Sequence, residues 1–156
     1  MRHHVSVLLV GCLFLLCAAL PGRVAAHPPL NQQDTSAVVN LYYRIINAGF
    51  LSGDFSALAA VYAPDATLVR STPQGETFAL HGLQQIIPYY HRLFQGDPDV
   101  QFVRDHWYLL SPTILLNYEH ITSRAFRSGA RCSHLFVIQN GHIQQLFWVA
   151  YFAGMR

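Results

Sequence analysis

The chain contains no lysine. Its ten basic residues are all arginine, and charged residues of both signs make up only 12% of the 156 positions. Charge this sparse, with no basic stripe and no interleaved aromatics, argues against a nucleic-acid surface. Cysteine is scarce as well: Cys12 and Cys17 fall in an apolar leader, which leaves Cys132 alone in the remainder. A lone thiol forms no internal disulfide. The fold must therefore be held by its core, with Cys132 read as a buried apolar filler. No internal repeat and no low-complexity segment is present.

The apolar run "VSVLLVGCLFLLCAAL" at 5–20 carries no charge and follows a short basic start. Pro21 and Gly22 break it, and "RVAAHPP" supplies small residues. These are the parts of a secretory signal peptide, with cleavage expected after Ala26. A retained membrane anchor is the alternative, but the run of 16 residues is short of the roughly 20 that a spanning helix needs. "LVGC" at Leu9 to Cys12 resembles a lipoprotein box but comes early. The expected organisation is a signal peptide at 1–26, a flexible lead-in at 27–33 and one domain at 34–156. The product is then secreted or periplasmic and free of the membrane after cleavage.

Asp34-Thr35-Ser36 offers an N-cap for a helix along "AVVNLYYRIINAGFL", where Val38, Leu41, Ile45 and Tyr42 recur at helical spacing. "GDFSALAAVYAP" reads as a short second helix, capped by Asp54 and stopped by Pro64. "ATLVRS" and "TFALHG" read as strands, and "GLQQIIPYYHRLFQG" as a helix with Pro88 near its first turn or at a kink. Four segments rich in β-branched and aromatic residues follow, from Asp99 to Phe152. Ser111-Pro112, Ser128-Gly129 and Asn140-Gly141 separate them, the last being the dipeptide favoured in tight hairpins. Short turns imply antiparallel neighbours. The order α-α-β-β-α-β-β-β-β predicts an α+β domain with helices against one face of a bent antiparallel sheet.

With its quoted stretches "LYYRIINAG", "GDFSALAAVYAPDATLV", "HGLQQIIPYYHRLF" and "LFVIQNGHIQQLFWVAYF", this order resembles the nuclear transport factor 2-like superfamily, also called SnoaL-like or ketosteroid-isomerase-like. The resemblance covers Asp34 to Phe152. It implies a cone-shaped sheet around a long N-terminal helix, with helices on the concave side and a pocket at one end. The family holds polyketide cyclases, isomerases, dehydratases, hydrolases and non-catalytic proteins, so fold does not settle function.

The resemblance also implies site residues. Leu68 and Arg70 would point into the cone, with Arg70 where the isomerases keep an aspartate base. An arginine stays protonated and cannot fill that role, which argues against steroid isomerisation by that mechanism. Arg70 would instead hold an anionic or enolate oxygen, or else sit at the rim beside Glu76. Tyr42 or Tyr43 matches a first-helix tyrosine that donates to the reacting oxygen, and His134 matches a second donor. Strand alternation then places Tyr118 and His120 on the inward face diagonal to His134, with Arg104 opposite His120 and sharing its face with His106 and Tyr108. Trp148 and Leu146 close the wall, while Asp105 and Glu119 would point outward. A one-residue slip would exchange the two sets. Three histidines suit zinc, but His106 is offset from the other two; no metal and no cofactor is expected. His81, His91 and His142 read as surface residues, and Asp54 and Asp65 as caps.

The expected activity is acid-base chemistry on a small apolar or aromatic, oxygen-bearing molecule, by cyclisation, dehydration or isomerisation. His134 or His120 would move the proton, with Tyr42 or Tyr43 and Arg70 polarising the substrate. The alternative is a non-catalytic ligand-binding or protein-interaction module, its cone plugged by Phe136, Trp148 and Tyr118. Val103, Trp107 and Leu109 are expected on the outer face of the sheet, where apolar exposure predicts a homodimer.

Overall fold

The structure, a computed structural model, describes residues 32–72, 74–93, 95, 99–123 and 130–152. The leader at 1–26 and the Ser128-Gly129 turn lie outside the described residues. Helix α1 spans Gln32–Ser52, starting two residues ahead of the expected cap. Thr35, Val39, Tyr42, Tyr43, Ile46 and Phe50 are buried along it, a stripe at helical period rotated by about one position from the expected one. Val38, Leu41 and Ile45 flank that stripe, half-buried. Asn47 clamps the helix to the strand at Phe102: its amide N–H donates to the Phe102 carbonyl at 3.1 Å, and its Oδ1 accepts the Phe102 N–H at 2.9 Å.

The expected second helix is one 3-10 segment, Ser56–Ala60. Asp54 Oδ1 accepts the Ser56 N–H at 2.8 Å, an ordinary turn-closing role. Gly49 is required here, since a Cβ would lie 2.5 Å from the Phe55 ring. Strand β1, Tyr62–Ser71, starts before Pro64 rather than after it. Its pairing shifts register between Tyr62 and Thr67, the kind of irregularity that tolerates a residue without an N–H. Strand β2 is Thr77–His81. Helix α2, Leu83–Leu93, carries Pro88 inside it.

Strands β3 (Gln101–Ser111), β4 (Ile114–Thr122), β5 (Ala130–Gln139) and β6 (His142–Phe152) form an antiparallel meander. Asn140 and Gly141 turn β5 into β6 with φ of 51° and 75°, the two left-handed residues a type I′ hairpin demands. The sheet order is β2-β1-β6-β5-β4-β3, curled and unclosed. One pair departs from the expected antiparallel pattern: β1 runs parallel to β6, because the whole chain between them returns to the same edge.

Three rows of side chains cross the inner face. Leu68, Leu146, Phe136 and Leu115 form the first; Arg70, Trp148, His134 and Asn117 the second; Ala150, Cys132 and Glu119 the third. All are buried except Arg70, which is half-buried. Each large apolar side chain so buried contributes about 1.5–3 kcal/mol. These rows correct the expected inward set. Arg104 pairs with Glu119, not His120, so Asn117 and Glu119 face in while Tyr118 and His120 face out. Beyond Arg104 the register shifts, with His106 opposite Tyr118. That bulge reverses the alternation of β3. His106 and Tyr108, expected inside, therefore lie exposed outside. Trp107 and Leu109, expected outside, turn to the inner side, where Leu109 packs on the core and Trp107 lies 5.7 Å from the Arg104 guanidinium. Val103 is on the outer face as expected.

Candidate functional site

The second row is the polar band of the inner face. His134 is fully buried, with the rings of Trp148, Phe136, Tyr42 and Phe102 at 5.0, 5.6, 6.1 and 6.2 Å. Its Nδ1 lies 3.0 Å from Tyr43 Oη. The Asn117 amide N–H donates to the same oxygen at 2.8 Å and to Glu119 Oε2 at 3.3 Å. Glu119 Oε1 lies 3.3 Å from His134 Nδ1 but off any hydrogen-bond direction. Arg104 Nε donates to Asn117 Oδ1 at 2.9 Å, and its Nη1 donates to Asn40 Oδ1.

Helix position decides between the two tyrosines. Tyr43 faces His134. Tyr42 points lower, where its hydroxyl meets Tyr90 Oη at 2.9 Å, which in turn meets Tyr62 Oη at 3.2 Å. That trio is a hydrogen-bonded floor, leaving Tyr43 as the tyrosine whose hydroxyl meets the histidine.

The distance between Glu119 and His134 is that of an ion pair, but burial prevents one from forming. Desolvation, assisted by the Arg70 charge, pushes His134 down to about 3. Desolvation pushes Glu119 up to about 8, against the opposing pull of its Tyr43 hydrogen bond and of Arg104. Between those values both groups are neutral. Tyr43 is raised well above its ordinary value, first by burial and then by Glu119, and stays a hydroxyl.

Counting protons then assigns donors. Tyr43 Oη accepts from Asn117 and hydrogen-bonds Glu119. While Glu119 keeps its proton, its carboxyl O–H serves Tyr43 Oη and the tyrosine hydrogen goes to Nδ1 of His134; once Glu119 ionises, Tyr43 donates to the carboxylate and Nδ1 carries the hydrogen. A neutral imidazole that accepts at Nδ1 carries its proton at Nε2. That Nε2 is buried and has no partner.

Arg70 answers to the inward expectation. Its guanidinium carbon lies 4.3 Å from the Trp148 ring centre and 5.5 Å from that of Tyr89, and Phe78, not Glu76, is its cross-strand neighbour. Its Nε, together with Trp148 Nε1 and Tyr89 Oη, is buried without a partner. Buried polar atoms are nearly always paired, so unpartnered ones gathered on one face point to a ligand. Leu68, Trp148 and Leu146 lie where expected, and Arg104 reaches the site through Asn117. On the opposite face, His120 Nδ1 pairs with Asp105 Oδ1 at 2.7 Å, and Tyr108 stacks edge-on to Tyr118 at 6.3 Å. The three strand histidines are thus split between faces and cannot share a metal.

Asn117 and Glu119 were not among the expected site residues. The alternation Leu115, Asn117, Glu119, Ile121 competes with Ile114, Leu116, Tyr118, His120, and the two sets are similarly apolar. The signal available was that a polar pair flanked by two apolar residues at period two fits a buried network as well as a solvated face.

The profile of the SnoaL-like domain matches residues 31–146. No curated protein matches the chain. Among solved structures, a proposed SnoaL-like polyketide cyclase from Jannaschia sp. CCS1 is 13% identical, with 80% of this chain and 89% of that one covered at a TM-score of 0.60. A proposed ketosteroid isomerase from Kribbella flavida is 16% identical, with 80% and 82% covered, also at 0.60. An NTF2-like protein of unknown function from Mesorhizobium loti is 18% identical, with 82% and 98% covered at 0.60. Likeness at this identity carries the fold. With most of its length matched by that profile, the chain belongs to the SnoaL-like domain family.

Proposed function

We propose that this protein moves a proton to and from an oxygen of a small apolar substrate, with His134 as the group that touches it. The observation that carries this reading is the buried, unpartnered Nε2 of His134, backed at Nδ1 by Tyr43 at 3.0 Å. An imidazolium is excluded at ordinary pH by a pKa pushed down to about 3. The histidine therefore works as a neutral relay. As charge develops on a substrate carbonyl oxygen, Nε2–H gives up its proton to that oxygen. Nδ1 takes the Tyr43 hydroxyl proton, and Tyr43 takes the proton of Glu119. The net change is one proton from the Glu119 carboxyl to the substrate, leaving the carboxylate behind and His134 protonated at Nδ1. The reverse run removes a proton. Glu119, at about 8, is close enough to neutrality to serve as the reservoir. Cyclisation, dehydration and isomerisation all proceed through such an oxygen-stabilised step.

A binding-only module would leave the relay idle. The expected plug is incomplete, since Phe136 and Trp148 are buried but Tyr118 lies on the outer face. That outer face supports a second part of the proposal, a homodimer through the sheet. Tyr108, Leu116, Leu135, Phe147 and Val69 form one continuous row across five strands, and Tyr108 and Phe147 are exposed. The third part, export with removal of 1–26, rests on the leader sequence alone.

Deuterium exchange at the α-carbon of 2-tetralone in D2O, followed by NMR, tests the relay. Donation of the Nε2 proton to the carbonyl oxygen acidifies the α-hydrogen, solvent water takes that hydrogen to give the enol, and return to the ketone brings deuterium from solvent to carbon. Wild-type protein should accelerate exchange over buffer, and His134→Gln should lower the protein-dependent rate by about 10²-fold or more. His120→Gln should leave it unchanged. A His134→Gln rate equal to wild type, or no wild-type rate above buffer, would overturn the reading.

A further inference from the structure

We propose that Arg70 and Trp148 bind a carboxylate, so that the substrate is an apolar organic acid whose reacting oxygen lies toward His134. This deepens the proton-relay reading and rests on it only for that last placement.

Arg70 and Trp148 are direct cross-strand partners in the row that continues to His134. Both contribute a buried nitrogen without a partner, Nε and Nε1. Both nitrogens are donors only and can accept nothing. A polar neighbour of Trp148 is the Cys132 thiol, itself pushed up to about 12 by burial. The indole N–H lies close enough to oppose that rise, but it is outside hydrogen-bond geometry with the sulfur, and a thiol sulfur is a weak acceptor in any case. What fills the site must therefore bring acceptors, at least two of them.

Charge narrows the class further. Among the described residues no carboxylate pairs with Arg70, whose surroundings are the Trp148, Tyr89 and Phe78 rings. Burial already pulls its pKa below the ordinary arginine value. The one acid on this part of the inner face, Glu119, is neutral below about 8. A partly desolvated guanidinium without an anion is costly, and an entering carboxylate relieves that cost while satisfying both donors. A neutral ketone or alcohol satisfies at most the donors and leaves the charge unpaired. The aromatic walls suit a flat body behind the acid group.

The test compares 2-naphthoate with 2-naphthamide, which have the same body and differ in charge, by calorimetry at pH 6.5. The indole N–H of Trp148 is followed in parallel by 1H–15N NMR, assigned with Trp107→Phe. Naphthoate should bind about tenfold or more tighter than the amide and should shift the Trp148 N–H signal. Arg70→Gln should remove the preference for the acid over the amide, and Arg70→Lys should keep part of it. Equal affinities of the two probes, a preference that survives in Arg70→Gln, or no binding of naphthoate, benzoate or cinnamate at millimolar concentration would overturn the proposal. The two readings fail separately. A missing acid preference with His134-dependent tetralone exchange intact removes only the carboxylate site. An intact preference without exchange removes only the relay.

Discussion

The Glu119–His134 pair predicts an unusual dependence of stability on pH. Glu119 is held at about 8 in the fold against an ordinary 4.5, and His134 at about 3 against 6.5. From pH 3 to 4.5 the unfolded chain holds both protons and the folded chain only that of Glu119. Stability then rises with pH, at about 1.4 kcal/mol per unit. From 4.5 to 6.5 each state holds one proton, on histidine when unfolded and on Glu119 when folded, and the curve is flat. From 6.5 to 8 only the folded state holds a proton, so stability falls. Each sloping window is 1.5 pH units wide, giving about 2 kcal/mol lost on either side of the plateau. Urea unfolding from pH 3.5 to 8.5 at fixed ionic strength measures this directly. In Glu119→Gln the alkaline fall should vanish and the middle window should rise instead, by about 3 kcal/mol over its two units. In His134→Phe the acid-side loss should vanish. A wild-type curve that rises between 6.5 and 8, or a Glu119→Gln curve that follows wild type through all three windows, would refute the assignment of two neutral, oppositely shifted groups.

Four further outcomes follow from the same structure. Gly141→Ala should destabilise by about 1–3 kcal/mol, because φ of 75° is strained for any side chain; a cost below about 0.5 kcal/mol in urea would count against the hairpin geometry. Leu68→Ala should cost about 2–5 kcal/mol through the cavity it leaves in the innermost row, read by the same titration. Phe147→Arg on the outer face should convert the proposed dimer to monomer in light scattering at micromolar concentration, and a wild-type monomer would remove that proposal. Protein recovered from an exporting host should begin at or near His27 on N-terminal sequencing, whereas a chain that begins at Met1 or is lipidated at Cys12 would contradict the leader reading.

Element order and fold class could be read in the sequence because apolar periodicity and turn residues are local properties. Asn140-Gly141 sets its own backbone angles, and the shared face of Leu68 with Arg70, like that of Leu146 with Trp148, follows from alternation within one strand. The inner face of β3 and β4 could not be read the same way. Their register depends on a bulge past Arg104, which inserts a residue without any glycine or proline to mark it, and one residue exchanges every side chain between faces. Asn117 and Glu119 were hidden for that reason, and His120 with Tyr118 stood in their place. The choice between Tyr42 and Tyr43 was likewise tertiary: adjacent positions on one helix are separated only by what the sheet presents to each.

The protonation pattern of His134 tests the account most directly. With 15N-histidine labelling, the Nδ1 and Nε2 signals of His134 report which nitrogen carries the proton. The account predicts a neutral ring from pH 5 to 7 with the proton on Nε2, moving to Nδ1 as Glu119 ionises at about 8. A ring protonated on both nitrogens near pH 6, or one carrying its proton on Nδ1 throughout, would contradict it.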